Sequence, residues 1–278
     1  MRLVKAFLVV AAVALCCASS AFAESTYDKV MKAKVLRAGI MTNSIPGAFY
    51  NEKKEWVGFD VDIAEEVAKR LGVKLERVQV SDMTRISFVQ QGRIDMSVAN
   101  MTHKRERDKS IDFSITYFFD GQKLLVKKDS GIKDWKDIVA QNKKIASTKG
   151  TTSEVNARNK LKQLGDKNAD QNVISFPDYA AAFQALKNGR VAGFTTDSTI
   201  LLGYAAQASG QFELVGDFIS DEPYGIGLPE NDSKWRDAIN FALQDMWADG
   251  TYKKIYDKWY GPDTPYYFPL TAKIEMWP

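Results

Sequence analysis

An α/β protein of two units around a shared cleft is the fold class that this sequence predicts, and three observations predict it. Short apolar strands alternate with amphipathic helices along the chain, the pattern of mostly parallel sheets covered by helices. No linker rich in Gly or Ser separates two independent domains, so two βα units joined in this way have walls that move as rigid bodies. Cysteine is confined to Cys16 and Cys17, and the remainder must draw its stability from core burial rather than cross-links.

The N-terminal segment stands apart from the remainder of the chain. Arg2 and Lys5 give a positive start, Ala6 to Ala18 run almost wholly apolar, and Ala21-Phe22-Ala23 puts small residues where a signal peptidase reads. This is the three-part pattern of a secretory signal peptide, with cleavage expected after Ala23. The apolar run is short for a membrane span. Leu15, rather than a small residue, precedes Cys16, which argues against lipid attachment. Removing residues 1–23 from the 278 leaves 255, enough for one large domain or two smaller ones. Without Arg2 and Lys5 the charged residues are 36 basic and 35 acidic, drawn from totals of 38 and 35. Such balance lacks the one-sided basic face of a nucleic-acid binder. Lys127-Lys128 and Lys143-Lys144 are solvated surface on this reading, and no later apolar stretch is long enough to cross a bilayer.

Val35 to Ile40 is the first predicted strand. Gly58 opens a helix in which Phe59, Ile63, Val67 and Leu71 recur at i+4, and Gly72 ends it. Leu75 to Val80 is strand-like, Arg85 to Gln91 helical, and Ile94 to Ala99 a strand again. Leu124 to Lys127, Lys144 to Ser147, Val173 to Phe176 and Val191 to Thr195 repeat the logic, with helices starting near Thr152, Tyr179 and Ser198. The Tyr179 helix closes at Gly189. A long helix covers Ser233 to Asp249, a short one Tyr252 to Trp259. Residues 261–278 hold four prolines and the aromatics Tyr266, Tyr267, Phe268 and Trp277, which predicts an irregular tail lying across the surface.

Gly58-Phe59-Asp60-Val61-Asp62-Ile63 with Val67-Ala68 and Leu71 resembles the signature of bacterial extracellular solute-binding proteins that serve amino-acid ABC transporters. Asn100-Met101-Thr102, Arg105-Glu106-Arg107, Asp112-Phe113-Ser114, Lys149-Gly150-Thr151-Thr152-Ser153-Glu154, Asp197, Asp221-Glu222-Pro223-Tyr224-Gly225-Ile226 and Trp259-Tyr260-Gly261 extend it in the family's order. The resemblance implies a two-lobe periplasmic-binding-protein fold of type II, with two hinge crossovers and the ligand between the lobes. Residues 24–120 and 220–278 would form lobe one, and 121–219 lobe two. It further implies a small-molecule amino acid as ligand, a permease in the inner membrane as partner, a periplasmic location and a monomer.

A free amino acid presents an α-carboxylate and an α-ammonium. A guanidinium suits the first, because its fork pairs bidentately, and an acidic acceptor suits the second. The ligand-binding set implied by the resemblance is Arg85, Asn100, Thr102, Arg107, Thr148, Thr151, Thr152 and Asp197. Arg107 occupies the carboxylate-binding position, although composition alone would make it a surface residue of the run Lys104 to Lys109. Thr151 and Thr152 follow Gly150 where a helix begins, and N–H groups there favour an anion or simply need a cap. Asp197 is expected to accept from the ammonium or to act as an N-cap. Asn100, which replaces the more usual glycine, and Thr102 are neighbouring acceptors.

At the side-chain end, Ser44 and Asp82 stand where many members sandwich the ligand between aromatics. Thr84-Arg85-Ile86 resembles the aspartate/glutamate-binding subgroup, whose arginine pairs with a side-chain carboxylate. Met41-Thr42 replace the basic residue usual on that subgroup's first loop, and Arg85 read alone is as well a surface residue at a helix start. Two arginines in one cleft would suit an acidic amino acid and repel a cationic one, with a neutral polar amino acid such as glutamine as the alternative. An enzyme on the same fold, like cyclohexadienyl dehydratase, is the rival class, with Glu154 as its acid. His103 is the only histidine, so common nucleophile–base pairs and zinc clusters are unavailable; no Gly-rich phosphate loop occurs, and neither catalysis nor a cofactor is expected.

Overall fold

The computed structural model describes residues 24–208 and 210–278. The expected signal peptide lies outside the described residues. In chain order the first lobe contains α1 (Thr26–Ala33), β1 (Val35–Ile40), β2 (Asn43–Ser44), β3 (Ala48–Tyr50), β4 (Trp56–Val57), α2 (Phe59–Leu71), β5 (Lys74–Gln79), α3 (Arg85–Gln90), β6 (Met96–Val98), α4 (Arg105–Asp108) and β7 (Asp112–Phe113). The strand β8 (Phe118–Lys127) then runs into the second lobe. That lobe continues with α5 (Trp135–Ala140), β9 (Ile145–Thr148), α6 (Thr152–Gln163), α7 (Ala169–Asn172), β10 (Val173–Phe176), α8 (Tyr179–Lys187), β11 (Gly193–Asp197), α9 (Ser198–Ala206) and β12 (Phe212–Val215). The chain returns through β13 (Asp221–Tyr224) to β14 (Gly227–Leu228), α10 (Ser233–Ala248) and α11 (Thr251–Tyr260).

Each lobe has its own sheet. The first is ordered β5-β1-β6-β14-β7 and the second β10-β9-β11-β8-β12, with β13 paired to β8. In each sheet three neighbouring strands are parallel, β5-β1-β6 and β10-β9-β11, as the alternating pattern predicts. The added strands are antiparallel: β14 against β6 and β7, and β8 against β11 and β12. β8 carries the chain out of the first lobe, and the others lie next to the two crossings, where a chain that leaves and returns must run both ways. β8 accordingly starts at Phe118 rather than Leu124, because residues 118–121 pair with Tyr224–Asp221 between the two sheets.

The α2 helix shows how sequence sets local structure. Its buried residues include Phe59, Ile63, Ala64 and Val67, and Gly72 closes it in the left-handed region at φ 65°. Gly58 sits at φ 141°, and a Cβ there would lie 2.2 Å from the Gly47 carbonyl oxygen, so only glycine lets the chain enter this helix. Phe59 stacks on Tyr117 and meets Phe118, Tyr252, Tyr256 and Tyr260 edge-on. This aromatic cluster ties α2 and α11 to the start of β8. The tail beyond Tyr260 contains no helix or strand; Phe268 stacks on Phe118, and Ile274 is buried.

Candidate functional site

The described lobes are in contact, and the sequence-predicted residues gather where they meet. Arg107, on α4, is 8% exposed and not the surface residue that its charged neighbourhood suggests. Its guanidinium donates to the Thr102 carbonyl at 3.0 Å and, across the lobes, to the Gly150 carbonyl at 3.5 Å. Among the described residues no carboxylate forms an ion pair with it. Burial, and after it repulsion from Arg85, pulls its pKa down to about 10, which leaves it cationic at neutral pH. A buried cation facing only neutral carbonyls is poised for an anion.

Asp197 ends β11 on the opposite lobe. It occupies the N-cap position of α9 yet makes no cap bond. Its carboxylate instead accepts from Gln122 Nε2 at 3.1 Å and from the Tyr224 hydroxyl. Burial first, then repulsion from Glu222 and Asp120, pushes this carboxyl well above the usual carboxylate range. Among the described residues no cationic side chain pairs with it. An ammonium beside it would relieve that destabilisation of the charged form.

Arg85 heads α3 and is 2% exposed, so its surface reading fails. It donates to the Ala99 carbonyl at 2.5 Å and the Asn100 carbonyl at 3.0 Å. Its guanidinium also pairs with Asp82 Oδ1 at 3.0 Å, and its Nε is buried without a hydrogen-bond partner. The same Asp82 oxygen accepts from the hydroxyl of Tyr179, at the start of α8 in the second lobe, at 3.0 Å. Asp82 and Tyr179 were not among the site residues expected from sequence. The i,i+3 spacing of Asp82 and Arg85 was the available signal for the first; Tyr179 offered none.

The remaining expected residues fall into place around these three. Asn100 adopts φ 46°, the left-handed region, which explains why glycine is usual there and why asparagine is tolerated. Its Oδ1 accepts from Ser44 at 2.7 Å, so its side chain braces the first loop. Thr102 donates its hydroxyl to Glu222, and Thr152 donates to the same carboxylate at 2.9 Å while accepting from Gln122 at 2.8 Å. Glu222, 1% exposed on the return strand β13, was missed from the sequence; it takes hydroxyls from both lobes at once. Thr151 caps α6, accepting from the Glu154 N–H, and donates to the Thr148 carbonyl at 2.6 Å. The Thr148 hydroxyl is buried without a partner. Position alone leaves the first N–H groups of α6 without helix acceptors, beside Gly150 and Arg107.

Glu154 is engaged elsewhere. Its carboxylate accepts from Arg158 at 2.7 Å and from the Ser175 hydroxyl. Burial raises its pKa, but these partners more than offset it, and the net shift is downward. That favours the ionised form, not a general acid. Among the described residues no cluster of His, Cys, Asp or Glu is suited to a metal ion, and no helix is long and apolar enough to cross a membrane.

Comparison with known proteins identifies the family. A glutamine-binding protein of an ABC transporter from Bacillus subtilis is 41% identical over 209 residues, 74% of this chain and 73% of its own. A glutamate/aspartate import solute-binding protein from Escherichia coli is 31% identical over 252 residues, 87% of this chain and 82% of its own. The crystal structure of an ancestral amino acid-binding protein, a precursor of cyclohexadienyl dehydratase, matches with a TM-score of 0.77 at 36% identity, over 84% of this chain and 99% of that one. The family model for bacterial extracellular solute-binding proteins, family 3, covers residues 36–262, and this chain belongs to that family.

Proposed function

We propose that this protein captures a polar L-amino acid by lobe closure and presents it to the permease of an ABC transporter, with glutamine the ligand that the site suits best. Arg107 holds the α-carboxylate together with the N–H groups at the start of α6, and Asp197 accepts from the α-ammonium. Each is a buried charge lacking a side-chain counterion among the described residues, and they lie on opposite lobes. A ligand carrying both complementary charges stabilises the closed form over the open one, which is the differential affinity that closure requires. The paired segments at Phe118–Gly121 and Asp221–Tyr224 serve as the hinge.

One observation supports this choice at the side-chain end: the Asp82–Arg85 pair, with both side chains 2% exposed. Asp82 already balances the second arginine, so a ligand carboxylate would enter against a buried like charge. An amide needs an acceptor and a donor together, and the pair carries the Asp82 carboxylate and the unpartnered Arg85 Nε. The Bacillus relative named for glutamine fits this choice. The unpartnered Arg85 Nε supports glutamate or aspartate as the second reading, with the Escherichia coli relative named for them. The engagement of Glu154 with Arg158 and Ser175 supports binding rather than turnover. Export to the periplasm by the expected signal peptide completes the reading.

Calorimetric titration tests it, using protein unfolded and refolded to strip carried-over ligand, against glutamine, glutamate, aspartate and arginine. Glutamine should bind most tightly, and Asp82→Ala should move preference toward the dicarboxylates. Tight binding of glutamate or aspartate alone to the unmodified protein would replace the amide reading with the acidic one. Turnover of prephenate or arogenate would overturn the binding-protein assignment.

A further inference from the structure

Aspartates at helix N-caps follow a simple habit among the described residues, and the one before α9 departs from it. Asp134, Asp178 and Asp232 each stand at an N-cap and accept N–H bonds from their own helix. Asp197 stands at the N-cap of α9 with φ −63° and ψ 140°, backbone angles suited to capping, yet its carboxylate points away to Gln122 and Tyr224. The first N–H groups of α9 are not abandoned. Asp120, from the crossover strand β8, accepts from Ser198 N at 3.2 Å and Thr199 N at 3.1 Å. It also accepts the hydroxyls of the same two residues at 2.5 and 2.6 Å.

We propose that Asp120 is a positioning residue that caps α9 from outside the helix and so releases Asp197 to face the ligand ammonium. This rests on the assignment of Asp197 as the ammonium acceptor. Its physical basis is competition for one acceptor. Buried N–H groups at a helix start demand a partner. Without Asp120 the nearest available carboxylate is that of Asp197, already in cap geometry, and a side-chain rotation would bring it onto its own helix. The ammonium would then lose its acceptor although no ligand-touching residue had changed. Placing the substitute cap on the crossover strand also ties the start of α9 to the segment about which the lobes move.

The test titrates glutamine and glutamate, and their α-deamino counterparts glutaramate and glutarate, into Asp120→Ala, Asp120→Asn, Asp197→Ala and the double alanine variant. Asp120→Ala should weaken the amino acid roughly 10- to 150-fold, close to the loss in Asp197→Ala, while the deamino counterpart changes little. Asp120→Asn, which keeps one of the two capping oxygens but turns an amide donor toward the other pair of donors, should lose less affinity for the amino acid than Asp120→Ala. The double variant should bind no more weakly than either single one. Equal losses for the amino acid and its deamino counterpart, as mere loosening of the lobe would give, overturn the proposal; so does full affinity in Asp120→Ala when Asp197→Ala has lost it. Unchanged affinity in Asp197→Ala instead rejects the ammonium reading itself.

Discussion

Gly203 gives the most direct measure of closure, because one methyl group there acts in opposite directions on the open and closed forms. Gly203 lies inside α9, on the second lobe, and an added Cβ would sit 2.1 Å from the Ile45 carbonyl oxygen and 2.6 Å from its carbon, on the first lobe. Ordinary contact begins near 3.4 Å, so α9 and the first loop must separate by about 1 Å. The neighbouring bond from the Tyr204 hydroxyl to the Asn43 carbonyl, 2.7 Å long, would be stretched beyond hydrogen-bonding range by such a shift. Overpacking of this kind costs about 1–3 kcal/mol, which weakens ligand binding roughly 5- to 150-fold. In the open form the same methyl meets no opposing lobe. There Gly203→Ala replaces a poor helix former with the best one, a gain of about 1 kcal/mol and of about 2–4 °C in Tm. Calorimetry on the refolded protein and a thermal melt without ligand therefore diverge: affinity falls while ligand-free stability rises. An unchanged Kd would refute the argument, because it would mean that the bound state does not bring Gly203 against Ile45.

Arg107→Ala should abolish measurable amino-acid binding, a loss of about 100-fold or more, with the circular dichroism spectrum retained; intact affinity would remove Arg107 from the site. Glu222→Gln places an amide donor among groups that now donate to Glu222, the Thr102, Thr152 and Ser220 hydroxyls and Asn156 Nδ2. It should leave the ligand-saturated protein more open in small-angle scattering and about tenfold weaker in binding, and an unchanged radius of gyration at saturation would deny Glu222 a part in closure. Asp60 supplies a pH dependence. Burial raises its carboxyl to about 7 from 3.8, against the opposing bonds from Tyr117 and the Asn100 N–H. Between those values the folded state holds a proton that the unfolded state has lost, so this group's contribution to stability is present at low pH and falls as pH rises. Relative to the parent, Asp60→Asn should therefore gain stability between pH 4.5 and 7.5, on the order of 3 kcal/mol, in urea denaturation; a pH-independent difference would contradict the shift.

The parallel βα framework was readable because its signals are local. Val35–Ile40, Val173–Phe176 and the starts of α6, α8 and α9 fall where apolar runs, caps and glycines place them. The crossover was not readable in the same way. Phe118 to Gly121 mix aromatic, charged and glycine residues without alternation, and they pair as strand with β13, a segment a hundred or more positions later. The short strands β2, β3 and β4 escaped for the same reason: each depends on a partner strand more than on its own composition.

At the site the residues were legible and their partners were not. Motif position marked Arg85, Arg107 and Asp197 as ligand-binding candidates, while residue type alone left both arginines as well on the surface; the structure buries all three. What each charge does depends on which groups fold against it. Arg107 meets carbonyls and keeps its demand for an anion, whereas Arg85 meets Asp82 and has that demand answered. On the proposed reading the same residue type would therefore meet an anion at one end of the cleft and a dipole at the other. Asp82 stands three positions before Arg85, but the Tyr179 that bonds to Asp82 stands in the opposite lobe. If closure is what brings that contact together, as the proposed function has it, a ligand that keeps the lobes apart also withholds Tyr179 from Asp82, and a poor fit at the side-chain end would be felt as incomplete closure rather than as a lost bond alone.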